Sequence, residues 1–115
     1  RMANTVRYSC AVEGYEGSWI EFSTRWTRDD QKAITEALTD AAYLDMVRRK
    51  AVAVHLVDGD VTYSDVEQLT DAGLAQIDIL LYRFVFLACG TCLRELRAIS
   101  DFVVRVSPPT SVATS

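Results

Sequence analysis

One histidine, two prolines and three cysteines are the whole supply of those residue types in 115 residues, and each shortage excludes something. An odd number of cysteines with no secretory leader does not make a disulfide framework, so the thiols read as reduced, cytoplasmic ones. With His55 the sole imidazole, a histidine-rich metal site or a pair of catalytic histidines is out of reach. Positive charge is also in short supply: the net charge is −4, against the cationic surface that non-specific nucleic-acid binding needs to displace counterions. No long hydrophobic run is present either. The longest largely apolar stretch, Ile79 to Leu93, is fifteen residues with Arg83 inside it, whereas a membrane span needs about 20. There is no phosphate-binding glycine loop, nucleophile elbow or HExxH sequence, and enzymatic activity therefore has no positive support.

What remains is a chain half hydrophobic and about one quarter charged, which suits one globular domain. Arg1 precedes Met2 and reads as the residue of a tag, with Met2 the natural start. A single α+β domain is expected over 1–106, built from two β-hairpins and two main α-helices, the C-terminal helix long and apolar. Residues 107–115, with Pro108-Pro109 followed by "TSVATS", have the composition of a disordered tail.

The first hairpin is read from "TVRYSCAV" at 5–12, where Val6, Tyr8, Cys10 and Val12 share one face, and from the alternation of Ser18 to Trp26, with Ile20, Phe22 and Trp26 inward. "EGYEG" between them holds Gly14 and Gly17, which can take the positive φ that turns require. At Thr27 the period changes. Thr27 can cap a helix, Asp30 suits its positive end, and apolar residues from Ile34 to Leu44 predict a helix to about Arg49, closed by the Arg48-Arg49-Lys50 cluster. In "AVAVHLVDGDVTYS" the Asp58-Gly59 pair between strand-like runs predicts a second hairpin with a type I′ turn. Ser64 and Glu67 have capping-box spacing for a short turn.

Thr70 reads as the cap of a long helix from Asp71, with Leu74, Ile77, Leu81, Phe84, Val85, Ala88, Cys92, Leu96 and Ile99 on one face. Between Ile79 and Leu87 the apolar character wraps nearly all round, through Leu80, Tyr82, Phe86 and Leu87. A helix apolar on every side must be covered on every side. One sheet and one alanine-rich helix supply too little cover, which predicts burial by another chain, either a copy of this one or a partner. Phe102, Val104 and Val106 alternate, as a short strand or an extension of the helix.

Cys89 and Cys92 have the CxxC spacing of redox and zinc sites, yet a redox CxxC places its first thiol at a helix N-terminus, and these fall well inside a predicted helix. Zinc would need Cys10 and His55 to converge on the pair from distant strands. Asp58 and Asp60 flank a turn that favours aspartate for backbone reasons, without the further oxygens calcium takes. The expectation is no cofactor, no metal and no catalytic residue. Trp19, of opposite parity to Ile20, reads either as an exposed binding residue or as a strand-end aromatic covering the hairpin.

An N-terminal hairpin with "GSWIEF", a helix opened by "TRDD", a "VDGDVTYSD" segment and "LTDAGLAQIDILLYRFVF" leading a long apolar helix follow one another over roughly residues 5–105. In this order and character the chain resembles the small tail-assembly chaperones of long-tailed bacteriophages, particularly those of actinobacterial hosts. The resemblance implies a non-catalytic protein of the host cytoplasm that binds the long helical tape-measure protein during assembly and is absent from the finished virion. It also implies that a longer frameshifted form accompanies it. The surface expected to carry that binding, or self-association into a homo-oligomer, is Leu81, Phe84, Val85 and Ala88, with Trp19 as a further candidate. Two alternatives are a connector or tail-completion protein that stays in the particle, and a small thiol oxidoreductase using Cys89 and Cys92.

Overall fold

A computed structural model of the chain describes residues 4–97. The expected tail over 107–115, the alternation of 102–106 and Ile99 lie outside the described residues. The elements run β1 (Thr5–Ser9), β2 (Trp19–Ser23), α1 (Arg28–Thr35), α2 (Asp40–Lys50), β3 (Ala51–Asp58), β4 (Val61–Tyr63) and α3 (Ile79–Arg97), with a single 3-10 turn at Val66–Gln68. The class is α+β. All strands pair antiparallel in the order β1-β2-β3-β4.

Parity decides which side of the sheet is covered. Ile20 and Phe22 of β2 lie across from Tyr8 and Val6 of β1, and Val54 and Leu56 of β3 continue the same face toward Tyr63. These join Leu44, Met46, Val47, Leu81, Val85, Cys89 and Cys92 in the core. Arg7, Trp19, Glu21 and His55 take the other face, where Arg7 pairs with Glu21 at 3.1 Å. A bulge opposite Glu21 and Phe22 skips Val52, which turns outward and lets both Ala51 and Val54 stay inward. Ser18, fully buried, extends the first hairpin: its carbonyl accepts from Cys10 N–H and its Oγ accepts from Val57 N–H at 2.9 Å, so β3 is held where β2 ends.

The turns and boundaries differ in detail from the sequence reading. The strands of the first hairpin are shorter, and of its two glycines only Gly14 has positive φ. In the second hairpin Asp58 pairs with Val61, leaving Gly59-Asp60 as the loop; Gly59 has φ +62° and Asp60 is not positive, which are the signs of a type II′ turn rather than I′. The capping box after β4 is made by Asp65 and Gln68, one residue beyond Ser64 and Glu67.

The single helix expected from Thr27 to Arg49 is two. Thr27 and Asp30 form a capping box at the start of α1, the chain leaves the helix after Thr35, and Thr39 caps α2 by accepting from Ala42 N–H. The reason is tertiary. Asp30 meets Lys50 at 2.8 Å in a half-enclosed site, with Arg49 at 3.9 Å and the Trp26 ring beneath the ammonium. In one straight helix those residues would set the two charges about 30 Å apart. The break folds α1 back so that they touch.

The long helix likewise starts at Ile79, not Asp71. Residues 71–76 make separate turns around Thr70, whose Oγ1 accepts from Gly73 N–H. Asp78 then caps α3 by accepting from Leu80 N–H, while its own N–H donates to Asp58. Gly73 has no room for a side chain: a Cβ there would sit 2.3 Å from the Gln68 carbonyl oxygen.

Gly73→Ala, although alanine favours helix, should therefore destabilise the fold by on the order of 1–3 kcal/mol in urea unfolding, because backbone must move; a neutral or stabilising result would contradict the tight turn. The Lys50 ammonium, then the Thr27 N–H, hold the Asp30 carboxyl down at about 2. A carboxyl depressed on folding stabilises above its unfolded range and loses that contribution as pH falls toward its folded value. Asp30→Asn should cost about 1–3 kcal/mol at neutral pH and abolish part of the stability loss that the parent chain shows between about pH 5 and 2.

Candidate partner-binding surface

Helix α3 lies on the covered face of the sheet with α2 beside it. Leu81, Val85, Ala88, Cys89 and Cys92 form its inward stripe. Tyr43 of α2 stacks on Phe86 at 4.8 Å, nearly parallel, and its hydroxyl donates to the Phe86 carbonyl. Gly90 faces the same tyrosine: a Cβ there would make ordinary van der Waals contact with the Tyr43 hydroxyl at 3.6 Å.

Among the described residues, the first two turns of α3 have no such neighbour on their outer side. Ile79 is 58% exposed, Leu80 50% and Leu87 65%, and Leu38, in the link between α1 and α2, is 95% exposed. Ile79, Tyr82, Arg83, Phe86 and Leu87 with Asp40 line a shallow groove of about 280 Å³, below the roughly 300–1,000 Å³ of ordinary small-molecule sites but of a size for side chains of a docked helix. Its charged lining is one acid and one base, Asp40 and Arg83. The Tyr82 hydroxyl donates to Asp71 at 2.9 Å and to Asp40 at 3.4 Å, and burial with these carboxylates raises the Tyr82 pKa.

The five residues expected to bind a partner do not form one surface. Leu81, Val85 and Ala88 are core residues, which corrects their assignment as contacts: the most regular apolar stripe of a helix is the one the sheet claims. Phe84 is half-buried at the edge of that stripe. Trp19 lies on the opposite side of the sheet, half-buried, with the Arg7 guanidinium 3.7 Å from its ring centroid and His55 beside it. Its reading as a covering aromatic is the one this geometry fits. The residues that do reach solvent are Ile79, Leu80 and Leu87, carrying the surplus left once a three-to-four repeat is assigned inward.

The thiol pair sits in the middle of α3, where amides are already used, with Cys89 fully enclosed. Burial, then the neighbouring Cys92, pushes the Cys89 thiol up to about 12, and burial raises Cys92 as well. Both shifts oppose the thiolate that redox exchange requires. Cys10 is buried on the inner face, whereas His55 is on the outer one, so the sheet stands between the histidine and all three thiols. Among the described residues no group of three or more His, Cys, Asp or Glu side chains is placed to hold a metal ion. No helix among them is long and apolar enough to cross a membrane.

Native chain should react with a thiol-specific reagent at least about 100-fold more slowly than unfolded chain, with three thiols appearing together on unfolding. One fast native thiol would reopen the redox reading.

Set against models of protein families, curated proteins and solved structures, the chain matches none of them.

Proposed function

We propose that this chain is a non-catalytic assembly chaperone that shelters apolar helical segments of a phage tape-measure protein in the host cytoplasm. The observation that carries the reading is the apolar face at the start of α3, where Ile79, Leu80 and Leu87 are exposed and Ile79, Phe86 and Leu87 line a shallow groove. Helix-in-groove packing takes apolar anchors of the docked helix at intervals of three, four and seven residues, and Ile79 and Phe86, seven apart, offer a row for them to lie against. A contiguous exposed patch of this kind on a small chain is a mark of association. The buried, raised-pKa cysteines favour a binding role over thiol chemistry. The negative net charge favours a protein partner over nucleic acid. The tape-measure protein as client comes from the order of segments that resembles tail-assembly chaperones; the surface itself suits an amphipathic helix.

The test is co-production with the tape-measure protein of the same phage. The client should stay in the soluble fraction with the parent chain and leave it with Leu87→Asp, a substitution at an exposed site that shifts fold stability by no more than about 0.5 kcal/mol. Equal client solubility with and without the chain sinks the proposal. Mass spectrometry of purified virions separates the roles: a chaperone is missing from the particle, and stoichiometric presence identifies a connector or completion protein instead.

A further inference from the structure

Two apolar rows flank Arg83 on the outer side of α3, where Ile79, Leu80 and Leu87 are exposed and Phe86, half-buried by the stacking of Tyr43, still lines the groove. Ile79 and Phe86 form one, Leu80 and Leu87 the other, and within each row the residues are seven apart, about 10.5 Å along the axis. Arg83 lies between the rows and near their midpoint. An isologous contact needs a patch that matches itself when turned about a two-fold axis. Turning α3 antiparallel about Arg83 brings Ile79 onto Phe86 of a second copy and Leu80 onto Leu87, so apolar meets apolar along both rows.

The charges complete the match. Arg83 makes no ion pair or hydrogen bond with a described residue. Asp40 lines the same groove, on the Ile79–Phe86 side, and has only the Tyr82 hydroxyl at 3.4 Å as a side-chain partner. At the axis two Arg83 guanidiniums would repel unless each found a carboxylate, and Asp40, which lines the same groove without an ion pair to any described residue, is the carboxylate that each copy brings to that face.

We infer that the open face of α3 is a homodimer interface, antiparallel about Arg83, with Arg83 of each copy paired to Asp40 of the other. The inference goes beyond client binding and does not depend on it. Where both hold, client helix and second copy compete for one face, so the dimer is the state in which the chain waits.

Sedimentation velocity from about 1 to 300 µM tests it, the range that a small interface with one reciprocal ion pair calls for. The parent chain should dimerise across this range. Arg83→Asp alone and Asp40→Arg alone should each be monomeric, at least tenfold weaker. Mixed in equal amounts, the two variants should dimerise again, because in the mixed pair both contacts once more join one carboxylate to one guanidinium. Leu87→Glu, at a site exposed in the single chain, should also weaken the dimer. A parent chain monomeric throughout, a mixture that stays monomeric, or Leu87→Glu that dimerises as the parent does overturns the inference. Each of those results leaves client binding to its own solubility assay, and failure of that assay leaves the dimer standing.

Discussion

A sheet covered on one side sets the terms for everything packed on it. The inner face formed by Val6, Tyr8, Ile20, Phe22, Val54, Leu56 and Tyr63 must be buried, and α3 is the long apolar element that does it. Doing so uses one stripe of the helix. A second flank is taken by α2 through Tyr43 and Phe86. Among the described residues nothing is left for the outer side of the first two turns. Fully burying a side chain of the size of leucine or isoleucine is worth about 1.5–3 kcal/mol, so Ile79, Leu80 and Leu87 stand as unrealised burial that a second surface can supply.

The Asp30–Lys50 contact fastens the start of α1 to the end of α2 that enters the sheet. Lys50 is the last residue of α2 and leads directly into β3, so α2 is tethered to the sheet at that end. Asp30, at the start of α1, is fastened to the same point and to its own cap at Thr27. Arg48, in the last turn of α2, donates to the Leu69 carbonyl and ties down the segment that leads to α3. The three cations that sequence alone places at a helix C-terminus are thus divided between dipole, clamp and loop anchor. The break between α1 and α2 is the consequence of this folding back, and it leaves Leu38 exposed two residues before Asp40 of the groove.

Local chemistry is legible in the sequence wherever its cause is local. The Thr27 cap, the hairpin around Gly59, the inward parity of Cys10, Ile20 and Phe22, and the placement of Cys89 and Cys92 well inside a helix all depend on neighbours within a few residues. Apolar periodicity, by contrast, passes straight through 36–39 and through 71–78, so it cannot reveal that the helix stops. Leu74 and Leu81 are buried whether one helix or a turn and a helix carries them. The tight turn at Gly73 rests on a backbone carbonyl at Gln68, and the start of α3 after Asp78 involves a distant acceptor in Asp58. Sequence alone misassigns the surface residues for a related reason. A helix greasy on all sides has no intrinsic outside, and only the placement of the sheet decides that Leu81 and Val85 point in while Leu80 and Leu87 point out.

The two halves of α3 are built for different neighbours, and this asymmetry ties the cysteines to the surface. Its later turns carry Ala88, Cys89, Gly90 and Cys92, small residues that let Tyr43, Tyr8 and Trp26 come close. The earlier turns carry Ile79, Leu80, Tyr82, Phe84, Phe86 and Leu87, bulky residues of which α2 covers only part, through the stacking of Tyr43 on Phe86. A helix with bulk throughout would lift α2 away from the sheet and open the core. One with small residues throughout would leave no face worth covering. The CxxC spacing is therefore read best as the closed half of a helix whose other half is open, with thiols serving as small apolar groups where close approach is needed.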